Sequence, residues 1–256
     1  MKAGIIFSPD PVYMNPFIKR LIQENGDKIT CVVKTNGSIL QKKSLKLKID
    51  YFFSLLLILG GWKFFSNLFK VVKYNLVGDS SIEKLCKKKN IKYIEVETVN
   101  SEETKKILKK EAPEIVFNQS QHIVKKDVLT IPKYGMFNRH GAPLPFYRGR
   151  LAPFWQILNN EKSGGITFHF LNEKIDDGQI IIQKPLPIDK KDNFNSLVAK
   201  MFDNAVMLFP EVLELIEKGE FPEQDESEKG SYFHSPRFKN ALSFRLKLIK
   251  KSFRGK

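Results

Sequence analysis

The chain has 256 residues, with 43 Lys and Arg against 28 Asp and Glu, a formal charge of +15 at pH 7. That length suits one or two domains, and a 42% hydrophobic content with 21 Phe supplies a sizeable core, which excludes intrinsic disorder despite the charge. Cys31 and Cys86 cannot build a disulfide framework, and four histidines without CxxC or HxxxH spacing give no zinc site, so a reducing cytoplasm and no metal are expected.

The apolar run inside MKAGIIFSPD is too short for a signal peptide and reads as a first buried strand, Ala3 to Phe7. A second strand, Ile29 to Thr35, follows a helix over Met14 to Glu24 whose Phe17, Ile18, Leu21 and Ile22 share one face. Further strands are predicted at Ile91 to Val96 and Glu114 to Phe117. Between them lies a helix opened by Asn100 as cap with Glu103 three residues on. Gly135 to Asn138 is a fifth strand, Ala152 to Asn159 a helix, and Gly165 to Leu171 and Gln179 to Ile188 two later strands. A helix over Asn195 to Lys218 closes the domain with Leu197, Met201, Ala205, Leu208, Val212 and Leu215 on one stripe. Alternating strands and helices imply a Rossmann-like, doubly wound, mostly parallel α/β sheet over residues 1–220.

Two segments stand outside that alternation. Residues 37–77 are a helical insertion, in which Lys42, Lys43, Lys46 and Lys48 precede the apolar run Tyr51 to Trp62. That run has twelve residues where a spanning helix needs roughly 20, so it does not cross a bilayer alone. Beyond it, Lys63, Asn67, Lys70 and Lys73 fall on one helix face and Phe64, Phe65, Leu68, Phe69 and Val72 on the other. Within the C-terminal extension, 221–256, residues 237–256 carry eight Lys and Arg and no acid, opposite Leu242, Leu246, Ile249 and Phe253. Basic amphipathic helices of this kind lie in the interface of anionic membranes, or pack on a core or a partner while water wets their charges.

The stretch from Tyr134 to Ile188 carries the chemistry. Asn138 and His140, two apart at a strand end, project to one face, and open α/β sheets keep their ligand crevice at the carboxyl ends of strands. Acyl transfer to an amine requires such a pair. The amide NH2 bonds the oxygen that becomes negative, while the imidazole stabilises the same charge or takes the released proton. Asp176 and Asp177, before Gly178 in a turn, offer the carboxylate that would hold the ring. Taken singly, each element also fits polar residues at a strand end and an ordinary DG turn.

Asn138-Arg139-His140, the loop Pro143-Leu144-Pro145-Phe146-Tyr147-Arg148-Gly149 and the turn Asp176-Asp177-Gly178 together resemble the formyltransferases that use 10-formyltetrahydrofolate. Pro113 to Ile188 shares the likeness most closely, nearest to the sugar N-formyltransferases and the catalytic domain of methionyl-tRNA formyltransferase. The resemblance implies catalytic Asn138, His140 and Asp176, the last standing at the family's distance from Asn138. Ala142 and Pro143 depart from the Ser and Leu common there. Thr167 and His169 sit where relatives carry polar residues beneath the site, although a lone strand histidine is more often a satisfied core residue.

The same resemblance implies a pocket for 10-formyltetrahydrofolate after the fourth strand, with Gln121, His122 and Val124, together with Glu173 from the loop before Asp176. It also implies acceptor contacts at Tyr147, Arg148 and Gly149, with Arg150 and Trp155 beside them. Glycinamide ribonucleotide enzymes grip phosphate on a glycine-rich first loop, whereas here Ser8 to Asn15 has Pro9 and Pro11 and no glycine. The stretch after Lys218 is too short for the β-barrel of the methionyl-tRNA enzymes.

The preferred acceptor is therefore the amine of a nucleotide-linked amino sugar for surface polysaccharide, handled in the cytoplasm at the inner face of the membrane. Alternatives are a methionyl-tRNA enzyme lacking its C-terminal domain, a formyltetrahydrofolate hydrolase, and a non-catalytic membrane- or RNA-binding module. Nucleic acid is not the first choice, because the basic residues interleave with aliphatics. A homodimer is among the family's implications.

Overall fold

The computed structural model describes residues 1–36, 44–224 and 227–254; Lys42, Lys43 and the Phe253 side chain, assigned above to basic segments, lie outside the described residues. The chain opens with Ala3–Phe7 (β1), Met14–Asn25 (α1) and Ile29–Thr35 (β2). The insertion forms Leu45–Leu59 (α2) and Gly61–Val77 (α3), and Ser81–Lys88 (α4) leads from it to Lys92–Val96 (β3). Glu102–Glu111 (α5), Ile115–Gln119 (β4), the single turn Lys126–Leu129 (α6) and Met136–His140 (β5) follow. Arg148–Gly149 (β6), Ala152–Leu158 (α7), Ser163–Phe170 (β7) and Ile180–Pro187 (β8) lead to the long Phe194–Lys218 (α8). Tyr232–Phe233 (β9) and Phe238–Arg254 (α9) complete the described chain.

The main sheet has the order β3-β2-β1-β4-β5-β7-β8. Its first five strands are parallel, and β7 and β8 are antiparallel additions. This is the Rossmann-like, doubly wound arrangement expected from the alternation. Because strand side chains alternate, Ile5 and Phe7 enter one apolar layer with α1 and α8, while Ile6 joins Val33 and Val116 under α5 and α6. Chain direction across the sheet reverses between β1 and β4, which opens a crevice at the carboxyl ends of these strands and of β5.

Rings tie α8 to the sheet. Phe209 stands 5.5 Å from Phe117 and 6.0 Å from Phe137, centroid to centroid. Asn193 caps α8, its side chain accepting from the amides of Asn195 and Ser196, and Ser196 returns a capping-box contact. The α5 cap differs from expectation. Ser101, not Asn100, accepts from the Thr104 amide, because the Asn100 side chain is committed to Ile123 and Lys125 in the loop after β4.

In the insertion, Gly60 turns the chain between α2 and α3 with φ at +82°. α2 packs along α9 and α3 along α2. Amphipathicity misleads about which side of α3 faces the protein. Phe64 and Asn67 are buried, whereas Phe65, Leu68, Phe69 and Val72 face outward. Asn67 therefore leaves the lysine face to which its helical position assigned it, and the apolar stripe is the outer one.

Replacing Phe209 with Ala removes the ring that joins α8 to two strands, and is expected to cost about 3–5 kcal/mol. Urea unfolding should show the midpoint falling with little change in slope.

Candidate active site

β5 delivers Asn138 and His140 to the sheet's carboxyl edge, and alternation sends Arg139 the other way, 4.3 Å from the Phe202 ring centroid. The Asn138 amide is oriented by Gln119 at the end of β4, whose side-chain NH2 donates to Asn138 Oδ1. That leaves the Asn138 NH2 group, which can only donate, in the lining of a cleft of about 530 Å3.

His140 is nearly closed off from solvent, at 7% exposure. Its Nε2 lies 2.8 Å from the Tyr147 carbonyl, which only accepts, so Nε2 carries the hydrogen and donates. Nδ1 is then the lone-pair nitrogen, 3.5 Å from Asp176 Oδ2. Burial holds the imidazole below its ordinary range, with the nearby Asp176 carboxylate opposing that shift. A neutral ring with an open Nδ1 can take a proton, and Asp176 is placed to stabilise the cation that results.

Local backbone explains why Asp176 stands there. Asp176 itself is left-handed, with φ at +49°. At Gly178 a Cβ would sit 1.9 Å from the Phe170 carbonyl oxygen, so only glycine completes the turn. The Gly149 amide donates to Asp176 Oδ2 at 2.9 Å, and Gly149 has φ at +97° with β9 pressed against it. The Asp-x-Gly turn and the Pro-x-x-x-Gly loop thus meet on one carboxylate.

A second imidazole faces the same group. His169 donates through Nδ1 to the Phe170 carbonyl at 2.9 Å, and its Nε2, 3.7 Å from Asp176 Oδ1, is buried without a hydrogen-bond partner. Burial pushes His169 down to about 4. Thr167 serves the loop instead: it donates to the Ala142 carbonyl at 2.7 Å and accepts from the Leu144 amide at 3.2 Å.

Of the residues singled out in the sequence, Asn138, Asp176, Gly149, Gln121, His122, Val124 and Glu173 line the cleft, and Arg150 joins them. His140 borders an adjoining cavity of about 220 Å3 that shares Gly149 and Leu151 with it. Tyr147 and Arg148 turn elsewhere. The Tyr147 ring stacks on Phe233 at 5.1 Å and its hydroxyl donates to Glu161 at 2.6 Å, so this residue reaches the site through its carbonyl only. Arg148 pairs with Asp177 at 2.6 Å. Trp155 packs on Phe233 and donates to the His234 carbonyl.

Several lining residues have no counterpart in the sequence argument. Tyr51 comes from the insertion, and Tyr232 and Ser235 from the C-terminal extension. Gln119 had a signal, a polar pair closing an apolar strand whose register sets Phe117 beside Phe137 and hence its end beside Asn138.

Residues 71–213, more than half of the chain, match the family model described as Formyl transferase. The chain belongs to the formyl transferase family. It is 34% identical over 165 residues to the bifunctional polymyxin resistance protein ArnA of Wigglesworthia glossinidia brevipalpis, an alignment covering 64% of this chain and 25% of that protein. It is 25% identical to a methionyl-tRNA formyltransferase of Caldanaerobacter subterraneus subsp. tengcongensis over 89% of this chain and 64% of the relative. Thus the chain spans a quarter of one of these relatives and under two thirds of the other. Among solved structures, the sugar 3N-formyl transferase WlaRD, with dTDP and 5-N-formyl-THF, shares the fold at a TM-score of 0.55 and 20% identity, covering 99% of this chain and 81% of that one.

The buried histidines make stability depend on pH. Below pH about 6.5 the unfolded chain protonates His169 while the folded one does not until about 4, so the contribution present above 6.5 is lost as pH falls between these values. Urea titrations from pH 7 to pH 5 should show a steeper loss of stability in the native protein than in His169→Gln.

Proposed function

We propose that the chain transfers a formyl group from 10-formyltetrahydrofolate to a primary amine, and that the amine belongs to a nucleotide-linked amino sugar. The observation that carries the first part is that Asn138 and Asp176 line one cleft while His140, on the adjoining cavity, sets its Nδ1 3.5 Å from the Asp176 carboxylate. The cleft fits the co-substrate. Its volume of about 530 Å3 lies within the roughly 300–1,000 Å3 of ligand pockets, and Ser120 Oγ in its lining is buried without a partner. Ser120, Gln121, His122, Val124 and Glu173 would hold it, and it would supply an activated formyl carbonyl.

The residues then divide the work. The Asn138 NH2 donates to the carbonyl oxygen as charge develops there, a bond worth more in the transition state than in the ground state. His140 Nδ1 would take the proton released by the attacking nitrogen and return it to the departing tetrahydrofolate nitrogen as the old formyl carbon–nitrogen bond breaks. Asp176 faces the imidazolium that forms, and Gly149 keeps that carboxylate in place. Gln119 acts through Asn138 as a positioning residue.

Two observations support the acceptor. The amides of Val12 and Tyr13, after β1, donate to Asp10 Oδ1 at 2.6 and 3.0 Å, so the first loop meets its own carboxylate rather than a phosphate. A second cavity of about 400 Å3, sharing Tyr51, Arg150, Tyr232 and Ser235 with the cleft, adds Arg237 and His234. Its acid, Asp50, accepts from the Phe238 amide at the start of α9. Two guanidinium groups beside two tyrosines suit a diphosphate and a flat base. Cys31 and Cys86, both buried free thiols, accord with a reducing cytoplasm.

Following folate absorbance with 10-formyltetrahydrofolate and a panel of nucleotide-linked and free amino sugars tests this reading. Sugar-dependent release is expected; sugar-independent release would mean hydrolysis, and none at all would defeat it. Asn138→Ala and His140→Ala should each lower kcat on the order of 100-fold or more with folding retained, and the acid limb of kcat/KM should lie below about 6.5, where a buried His140 must stay neutral. Arg237→Gln should raise KM for the nucleotide-linked acceptor by about tenfold while leaving the folate KM unchanged. Equal KM for linked and free sugars would remove the nucleotide.

A further inference from the structure

We propose that α3, together with α2 and α9, forms an interfacial anchor that docks this chain onto an anionic lipid bilayer. On α3, Trp62, Phe65, Phe69, Val72 and Leu76 recur three or four residues apart and form one stripe, on the side opposite the buried Phe64 and Asn67. A helix packed on a domain normally turns its apolar stripe inward. Here Trp62 is 90% exposed, Phe69 70% and Leu76 80%. α2 repeats the arrangement with exposed Leu45, Ile49, Phe52 and Phe53, and α9 with exposed Phe238, Leu242 and Leu246.

Charge selects the occupant. Residues 44–77 carry Lys46, Lys48, Lys63, Lys70 and Lys73 against one acid, Asp50, and α9 has no acid at all. By helical position, Lys63, Lys70 and Lys73 flank the apolar stripe of α3 on one side, as in helices that sink apolar residues between headgroups while lysines meet the phosphates. No helix among the described residues is long and apolar enough to cross a membrane, so the helices would lie in the interface. α2 also brings Tyr51 to the cleft, which would place the catalytic edge near the membrane surface.

Flotation of the full chain with vesicles of phosphatidylcholine containing 30 mol % phosphatidylglycerol, against vesicles of phosphatidylcholine alone, tests the proposal. Binding to the anionic vesicles is expected, with loss at high salt. Lys63→Gln, Lys70→Gln and Lys73→Gln combined should weaken it on the order of 100-fold, at about 1 kcal/mol per lysine. Trp62→Glu, Phe65→Glu and Phe69→Glu combined should abolish it. These positions are exposed, and far-UV circular dichroism checks that the fold persists. Protein left unbound at low salt, or equal binding to neutral vesicles, overturns the proposal. So does dimerisation without vesicle binding that the glutamate variant removes, which would assign the stripe to a second copy.

Discussion

One partly buried carboxylate organises the site. Asp176 faces His140 on one oxygen and His169 on the other, and takes a hydrogen bond from the Gly149 amide. Burial favours neutral imidazoles, and the carboxylate favours charged ones. The balance favours a neutral His140, and a protonated ring would have a partner already in place. Such a balance requires Asp176 at a fixed depth, which is why its left-handed backbone, the crowded Gly178 and the left-handed Gly149 occur together.

The sheet supplies the rigidity on which that placement depends. β4 and β5 end side by side, so Gln119 reaches Asn138 across the strand ends, and the Asn138 amide is fixed by the same register that packs Phe117 against Phe137. β7, antiparallel to β5, sets Thr167 and His169 beneath the site, and Thr167 clamps the loop that carries Gly149. Around this frame the insertion and the C-terminal extension act as a separate layer. They contribute Tyr51, Tyr232 and Arg237 to the cavities, and they carry the exposed aromatic and basic faces.

Much of this was legible in advance. Apolar β1, the Cys31-Val32-Val33 centre of β2 and the stripe on α8 determine buried strands and a covering helix, because this arrangement hides that apolar surface. The spacing of Asn138 and His140 fixes a shared face through the period of a strand, and Asp-x-Gly fixes a turn through the crowding of its glycine. These are local rules, and the sequence obeys them.

Tertiary packing decided what local rules leave open. Tyr147 resembles a contact residue but is spent on Phe233 and Glu161, because β9 returns from far along the chain to cover it. Asn100 gives up its helix cap to a distant loop, and α3 turns its phenylalanine stripe outward because a narrower face with Phe64 and Asn67 meets the protein. His169 reads as an ordinary strand histidine until the fold sets it against Asp176. Sequence periodicity gives the face a side chain occupies on its own element; which faces meet depends on the summed burial of residues far apart in the chain, and only the assembled molecule fixes that sum.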